Sequence, residues 1–275
     1  MRLIPILLFS LFFPLSAASF YQQAVLKKTT VAKVSAKLKQ KLEKSGEIRL
    51  LKFSDVVKSQ GTDFPEYHIL LSCMGKKFNA VVIADPALAN LLPCSIAIYD
   101  SGKGNVTVNI ANPASFADSA GISAAGKKTA MQEYARLKKS LGLVFKAVGK
   151  DASGNIFRQT DVASSSLEDY NTMLVSSLQG ENLNVVFTSS DKTSLAIHYV
   201  CSATIGNAIL KKMPQFGVFA PCRLVVVKTD TGFRSGFLDI TEIVKSYETE
   251  IGKDGMDAAL KLNAAVVSAL ELAGN

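Results

Sequence analysis

The feature that most restricts how this chain can fold is that it contains itself twice. Displaced by 128 residues, Cys73 falls on Cys201, Asn79-Ala80 on Asn207-Ala208, Pro86 on Pro214, Pro93-Cys94 on Pro221-Cys222 and Gly104 on Gly232. No gap is needed from residue 73 to about 110. Apolar positions between the anchors coincide too: Val81 with Ile209, Ile96 with Leu224, Ile98 with Val226 and Ile110 with Leu238. A period this long means two domains in tandem, not the short units of a solenoid. Upstream, the match resumes at Gly46-Glu47 and Gly180-Glu181, 134 residues apart. Copy one therefore holds about six more residues between its first two strands, near 58–62, an insertion that loop entropy tolerates. Copy one is assigned to 27–148 and copy two to 164–273. The intervening 149–163, rich in Gly, Ser and Asp, reads as a linker.

Within copy one, Val31, Val34, Leu38 and Leu42 recur at helical spacing with lysines on the other face, and Gly46 follows as a stop. EIRLLKF (47–53) and EYHILLS (66–72) read as strands. Residues 76–93 read as a helix interrupted at Pro86, whose ring and missing N–H disfavour a helix interior. CSIAIYD (94–100) and NVTVNIA (105–111) flank Ser101-Gly102-Lys103-Gly104 as a hairpin, and a helix is predicted over 127–148. Copy two repeats the order: a helix near 166–179, strands near 182–188 and 194–200, a helix over 203–213, a hairpin across 222–238, then helices near 240–250 and 255–273. The fold class is α+β: two tandem copies of a small domain with helices packed on a mixed or antiparallel sheet that contains a hairpin.

The order of helix, glycine, two strands, cysteine, broken helix and Leu91-Leu92-Pro93-Cys94 before an apolar strand ending at Asp100 resembles the domain-of-unknown-function family 302 (DUF302). Copy one carries the resemblance at Cys73, Asp85-Pro86, Leu91 to Cys94 and Asp100, copy two at Cys201, Phe216-Gly217, Pro221-Cys222 and Gly232. It covers roughly 28–113 and 163–240, with edges good to a few residues. The resemblance implies a small α+β domain that pairs with another copy. It lends no catalytic residues, because the family carries no agreed activity. Copy two has Met213-Pro214 in place of Asp85-Pro86, so the resemblance does not require equivalent sites in the two copies.

Each copy holds two cysteines, Cys73 and Cys94 in the first and Cys201 and Cys222 in the second. One ends a strand and the other opens the next. If those strands are antiparallel neighbours their ends meet, and a disulfide needs Cα atoms about 4.4–6.8 Å apart. If they are parallel, the cysteines lie at opposite ends of the sheet. Three readings stand: a bridge within each copy, inert buried thiols, or metal and redox work. The chain has no Cys-x-x-Cys of the thioredoxin kind. A metal ion would draw on His68 and Cys73 in copy one and on His198 and Cys201 in copy two, since imidazole and thiolate suit zinc or copper(I). Against it, His68 aligns with Ala196 and His198 with Leu70, and the odd spacing of His198 and Cys201 puts them on opposite faces of a strand. No cofactor is expected otherwise. Two unmatched histidines and the lack of Gly-x-Ser-x-Gly give no support to hydrolysis. Gly102-Lys103-Gly104 is a hairpin turn and not a phosphate cradle.

Residues 1–18 have one arginine, an apolar run from Leu3 to Leu15 and then Ser16, Ala17 and Ala18, the layout of a secretory signal peptide. The run is shorter than the roughly 20 residues of a spanning helix. The same composition would also serve as a retained anchor. Export to the periplasm or medium is expected, and with it a compartment that permits disulfides. The net charge is +8 at pH 7, with lysines scattered over predicted helices. That pattern is a solvated basic surface open to unspecific contact with anionic membranes. Export argues against a nucleic-acid partner. The sequence thus favours a non-catalytic module of the cell envelope that binds a small molecule or protein, with a pseudo-dimer of the two copies and a ligand cleft between them. A thiol-redox or metal-handling protein and a purely structural envelope protein are the alternatives.

Overall fold

The structure, a computed structural model, describes residues 19–274 apart from 45–46, 59–62, 74–76, 93, 151–153 and 165. The segment read as a leader, 1–18, lies outside the described residues. Copy one runs β1 (Tyr21–Lys27), α1 (Val31–Leu42), β2 (Glu47–Lys52), α2 (Phe53–Lys58), β3 (Tyr67–Cys73), α3 (Lys77–Ala84), a 3-10 segment (Pro86–Asn90), β4 (Cys94–Gly102) and β5 (Asn105–Ala111). Then follow α4 (Pro113–Ser119), α5 (Ala124–Leu141) and the short β6 (Lys146–Val148). Copy two runs β7 (Phe157–Val162), α6 (Leu167–Gly180), β8 (Asn184–Ser190), β9 (Leu195–Cys201), α7 (Ala203–Lys212), a second 3-10 segment (Pro214–Phe219), β10 (Cys222–Thr229) and β11 (Gly232–Leu238). It closes with α8 (Ile240–Lys245) and α9 (Glu248–Gly274), the latter broken at Gly252, where φ is 67°.

The two sheets have the same strand order, β2-β3-β4-β5-β1 and β8-β9-β10-β11-β7, with β6 added beyond β1 in copy one. All neighbours pair antiparallel. Local chemistry repeats with the topology. Thr30 Oγ1 accepts from the Lys33 amide at the start of α1, and Ser166 Oγ accepts from the Asp169 amide at the start of α6. Pro86 and Pro214 each open a 3-10 segment, because a proline is tolerated where its missing donor is not needed.

Two sequence expectations are corrected. The helix expected over 127–148 is α5, Ala124–Leu141, stopped by Gly142 in the left-handed region (φ 62°). Residues 146–148 instead pair with β1. The 149–163 linker contains β7, which pairs with β11 along its whole length and is the counterpart of β1. Of the extra residues expected near 58–62, 59–62 lie outside the described residues; upstream of them α2 begins directly after β2, whereas β8 and β9 are joined by a short turn.

Each sheet has two buried faces. In copy one the Cys94, Ile96 and Ile98 side is covered by α1 and α5, and Tyr134 Oη of α5 donates to Leu91 O. The opposite side, with Tyr67, Ser95, Ala97 and Tyr99, faces copy two. In copy two, α6 and α9 cover the side carrying His198, Leu224 and Ser235, and Arg223, Tyr199 and Val225 face copy one. The seam is reciprocal. The 3-10 segment of copy two packs on β4 and β5, and that of copy one packs on β10 and β11. Tyr67 Oη donates to Pro214 O (2.5 Å), Ser95 Oγ to Ala220 O (3.3 Å) and Arg223 Nη1 to Asn90 O (2.6 Å). Arg223 Nη2 also reaches Ser95 Oγ. Ser95 and Arg223 are equivalent positions of the repeat, so their contact marks the local twofold relation between the copies. Phe219 adds an aromatic cluster with Phe20, Tyr21 and Phe116 at centroid distances of 6.3, 5.7 and 5.5 Å.

Candidate functional site

The two histidines occupy corresponding environments although they do not align. His68 lies on β3 and His198 on β9, the same strand of each sheet. Their aligned positions differ by two residues, and a shift of two along a strand keeps the same face. Both therefore point beneath the first helix of their copy. His68 Nδ1 meets Ser35 Oγ of α1 at 2.6 Å, and His198 Nε2 meets Asn171 Oδ1 of α6 at 2.9 Å. Ser35 and Asn171 are each five residues beyond the helix cap, Thr30 or Ser166.

The hydrogen-bond partners fix opposite tautomers. Ser35 Oγ gives its proton to Val31 O (2.5 Å), so it accepts from His68 Nδ1–H. His68 Nε2 is then the bare nitrogen, 3.7 Å from Glu66 Oε1. Asn171 Oδ1 accepts from His198 Nε2–H, which leaves Nδ1 to accept from Thr188 Oγ1 at 3.0 Å. Burial lowers both ring pKa values. His198 falls to about 4, while for His68 the nearby Glu66 works against the shift. Ser35, His68 and Glu66 have the composition of a hydrolytic triad but not its arrangement. The serine is buried, and its proton is committed to its own helix.

The cysteines are resolved by register. The strands that carry them are antiparallel neighbours, β3 with β4 and β9 with β10. Cys94 is opposite Ser72 and Cys222 opposite Val200, so each cysteine pair is one residue out of register. Adjacent residues on a strand emerge on opposite faces. Cys201 and Cys222 are accordingly free thiols, as is Cys94, so of the readings left open a Cys201–Cys222 bridge is not formed. The side chain of Cys73, and with it the Cys73–Cys94 pairing, falls outside the described residues. Burial raises the Cys94 and Cys222 thiols to about 12 and Cys201 to about 11, which keeps them protonated and weakly nucleophilic at neutral pH. Among the described residues, no group of three or more His, Cys, Asp or Glu is gathered where it could hold a metal ion. His198 and Cys201 do point to opposite sides of β9.

A cavity of about 470 Å³ opens in copy two between α6 and the β8–β9 edge. Its polar lining is Glu168, Asn171, Thr172, Thr188, Ser190 and Lys192, with His198 at the base and Leu167 and Val175 as apolar wall. It lies on the helix-covered face, opposite the seam. Between the copies, the two 3-10 segments and the rings around Phe219 pack into the seam, and a small pocket of about 40 Å³ is lined by Phe53 of copy one with Cys201, Ile205, Phe216 and Cys222 of copy two.

The sequence profile of a family described as Domain of unknown function DUF302 matches residues 22–141 and 161–269, one segment per sheet. This chain belongs to the DUF302 family. An uncharacterized protein of Aquifex aeolicus (strain VF5) is 29% identical over 107 residues, which is 38% of this chain and 74% of that protein. The crystal structure of an uncharacterized conserved DUF302 protein from Bacillus stearothermophilus is 19% identical and superposes with a TM-score of 0.38, covering 44% of this chain and 98% of that one. The DUF302 matches begin within β1 and within β7, two of the three strands that sequence reasoning missed, the third being β6. The paired role of Ser35 and Asn171 in the two DUF302 copies was also missed. Its signal was the hydroxyl cap that precedes both helices by the same interval.

Proposed function

We propose that this protein is an exported, non-catalytic binding module whose second DUF302 copy holds a small polar ligand, with the first copy as its packed scaffold. The observation that carries the reading is the cavity under α6. At about 470 Å³ it is within the usual range of small-molecule sites, roughly 300–1,000 Å³. Its chemistry is mixed: hydroxyls from Thr172, Thr188 and Ser190, one amide, and opposite charges on Glu168 and Lys192. That set suits a molecule carrying both charges, such as a free amino acid or a short peptide. His198 is neutral at physiological pH with both nitrogens committed, which makes it a fixture that orients Asn171 and Thr188, not a general base. The raised thiols weigh against the redox alternative. Export rests on the composition of residues 1–18.

The chain has only two histidines, one per copy, which supplies both reporter and control. Ring-¹⁵N-histidine protein titrated with a panel of free amino acids and dipeptides is expected to show saturable shifts of the His198 ring signals with His68 unmoved. Silence across the panel, or equal movement of both rings, would overturn the reading.

A further inference from the structure

The outer helices of the two copies carry opposite charge. In copy one, α1 and α5 lie side by side, with Lys41 Nζ donating to Leu141 O at 2.6 Å. Together they hold nine Lys or Arg and one acid, Glu133. In copy two, the packed pair α6 and α9 holds seven acids and two lysines. Each pair covers the outward face of its sheet, so the polarity runs across the whole molecule.

Helix stability accounts for part of this pattern, four of the seven acids and four of the nine bases, and leaves the rest. Glu168, Asp169, Glu248 and Glu250 sit in first turns, where the helix dipole favours acids. Lys39, Lys41, Lys138 and Lys139 sit in last turns, where it favours bases. Lys33 and Lys128 lie near helix starts, where the dipole opposes them, and Lys37 lies mid-helix; all three are exposed. Neither α1 nor α5 has an acid in its first turn. Exposed Met131 falls on the Lys128 to Lys139 stripe of α5, at spacings of three and then eight residues, and so places an apolar side chain among the cations.

We propose that the α1–α5 face of copy one docks on an anionic lipid bilayer, with the acidic helices and the cavity of copy two turned away from it. Charge complementarity selects the surface, and the opposite polarity of copy two sets the orientation by repulsion. Met131 among the lysines suits the boundary between headgroups and acyl chains better than a purely hydrophilic polyanion. No helix among the described residues is long and apolar enough to cross a membrane. This inference does not depend on the ligand reading.

The test is co-sedimentation of the purified protein with phosphatidylcholine vesicles, alone and mixed with phosphatidylglycerol, at low and high salt. Binding is expected only with phosphatidylglycerol and should fade with salt. The exposed triple variant Lys33→Glu/Lys37→Glu/Lys128→Glu should lose about a hundredfold in partitioning, since each cation near an anionic surface matters at about 1 kcal/mol. Asp254→Asn/Asp257→Asn, on the face turned away, should not weaken partitioning, with circular dichroism confirming that both variants fold. Equal binding to the two lipids, an undiminished triple variant, retention by an anionic polysaccharide but not by vesicles, or salt-sensitive self-association without vesicle binding would each overturn the proposal.

Discussion

Copy one and copy two share strand order, helix caps and the faces they bury, yet they fill their common seam with different side chains. On the copy-one side Tyr67 and Tyr99 stack at 5.5 Å, and Tyr67 Oη reaches Pro214 O across the seam. The facing residue is Gly217, where an added Cβ would stand 1.9 Å from Tyr67 Oη. At the corresponding positions of the other half are Leu195, Val227 and Ala89. Thus the larger ring faces the glycine, and the smaller leucine corresponds to the alanine. The same holds at Ser95 and Arg223, equivalent positions filled by one short and one long side chain that contact each other. At these two contacts the seam sets a large side chain against a small one and lets residue identity drift between the copies, as close packing allows.

The strongest way to break that comparison is to give copy two the alanine of copy one. Gly217→Ala should destabilise the protein by about 3–4 kcal/mol, because Tyr67 is buried, stacked and hydrogen-bonded and cannot withdraw without losing that bond. Adding Tyr67→Leu, the copy-two residue, should recover part of the loss, so the double variant is more stable than the sum of the single losses predicts. Urea unfolding of the four proteins in the cycle measures this. Strict additivity would mean that the two positions are not matched across the seam.

The seam was partly legible in the sequence. The gapless offset located β4, β5 and their partners, because Pro-Cys and Gly anchors bracket near-continuous apolar runs. It missed β1 and β7. In β7 the middle residues Arg158 to Asp161 are all exposed, so nothing alternates, and the Gly- and Ser-rich approach resembles a linker. The disulfide could not be decided from spacing, since bonding depends on register as well as strand direction, and a single residue out of register separates the thiols. The paired histidines were hidden for a related reason. An alignment compares positions, whereas burial under a helix depends on face, and a two-residue displacement changes one without changing the other.

The histidines sharpen the comparison through pH. His198 has a folded pKa near 4 against 6.5 when exposed. Between these values the unfolded chain takes up a proton that the folded chain refuses, so stability is full above about pH 6.5 and is lost as pH falls toward 4. The loss from this one group approaches about 3 kcal/mol. His198→Gln should remove most of that slope from urea midpoints measured between pH 7 and 4.5. His68→Gln should remove less, because Glu66 offsets the burial of His68. Equal slopes in both variants would show that the two environments respond alike.

The smallest change concerns the helix residue that each histidine meets. Asn171→Ser gives copy two the residue that copy one has at Ser35. The shorter serine cannot span to His198 Nε2, whose bond to Asn171 is 2.9 Å long. Copy one closes the same gap with Nδ1 and a buried serine, whereas copy two has an open cavity against this helix. Water from that cavity replaces the amide, so the expected loss is only about 1 kcal/mol. The better solvated ring should then titrate above its parent value, which ring ¹⁵N shifts of the two histidines would follow directly. Unchanged stability with an unmoved titration would mean that Asn171 merely borders the cavity, and that the shared helix position of Ser35 and Asn171 has no shared role.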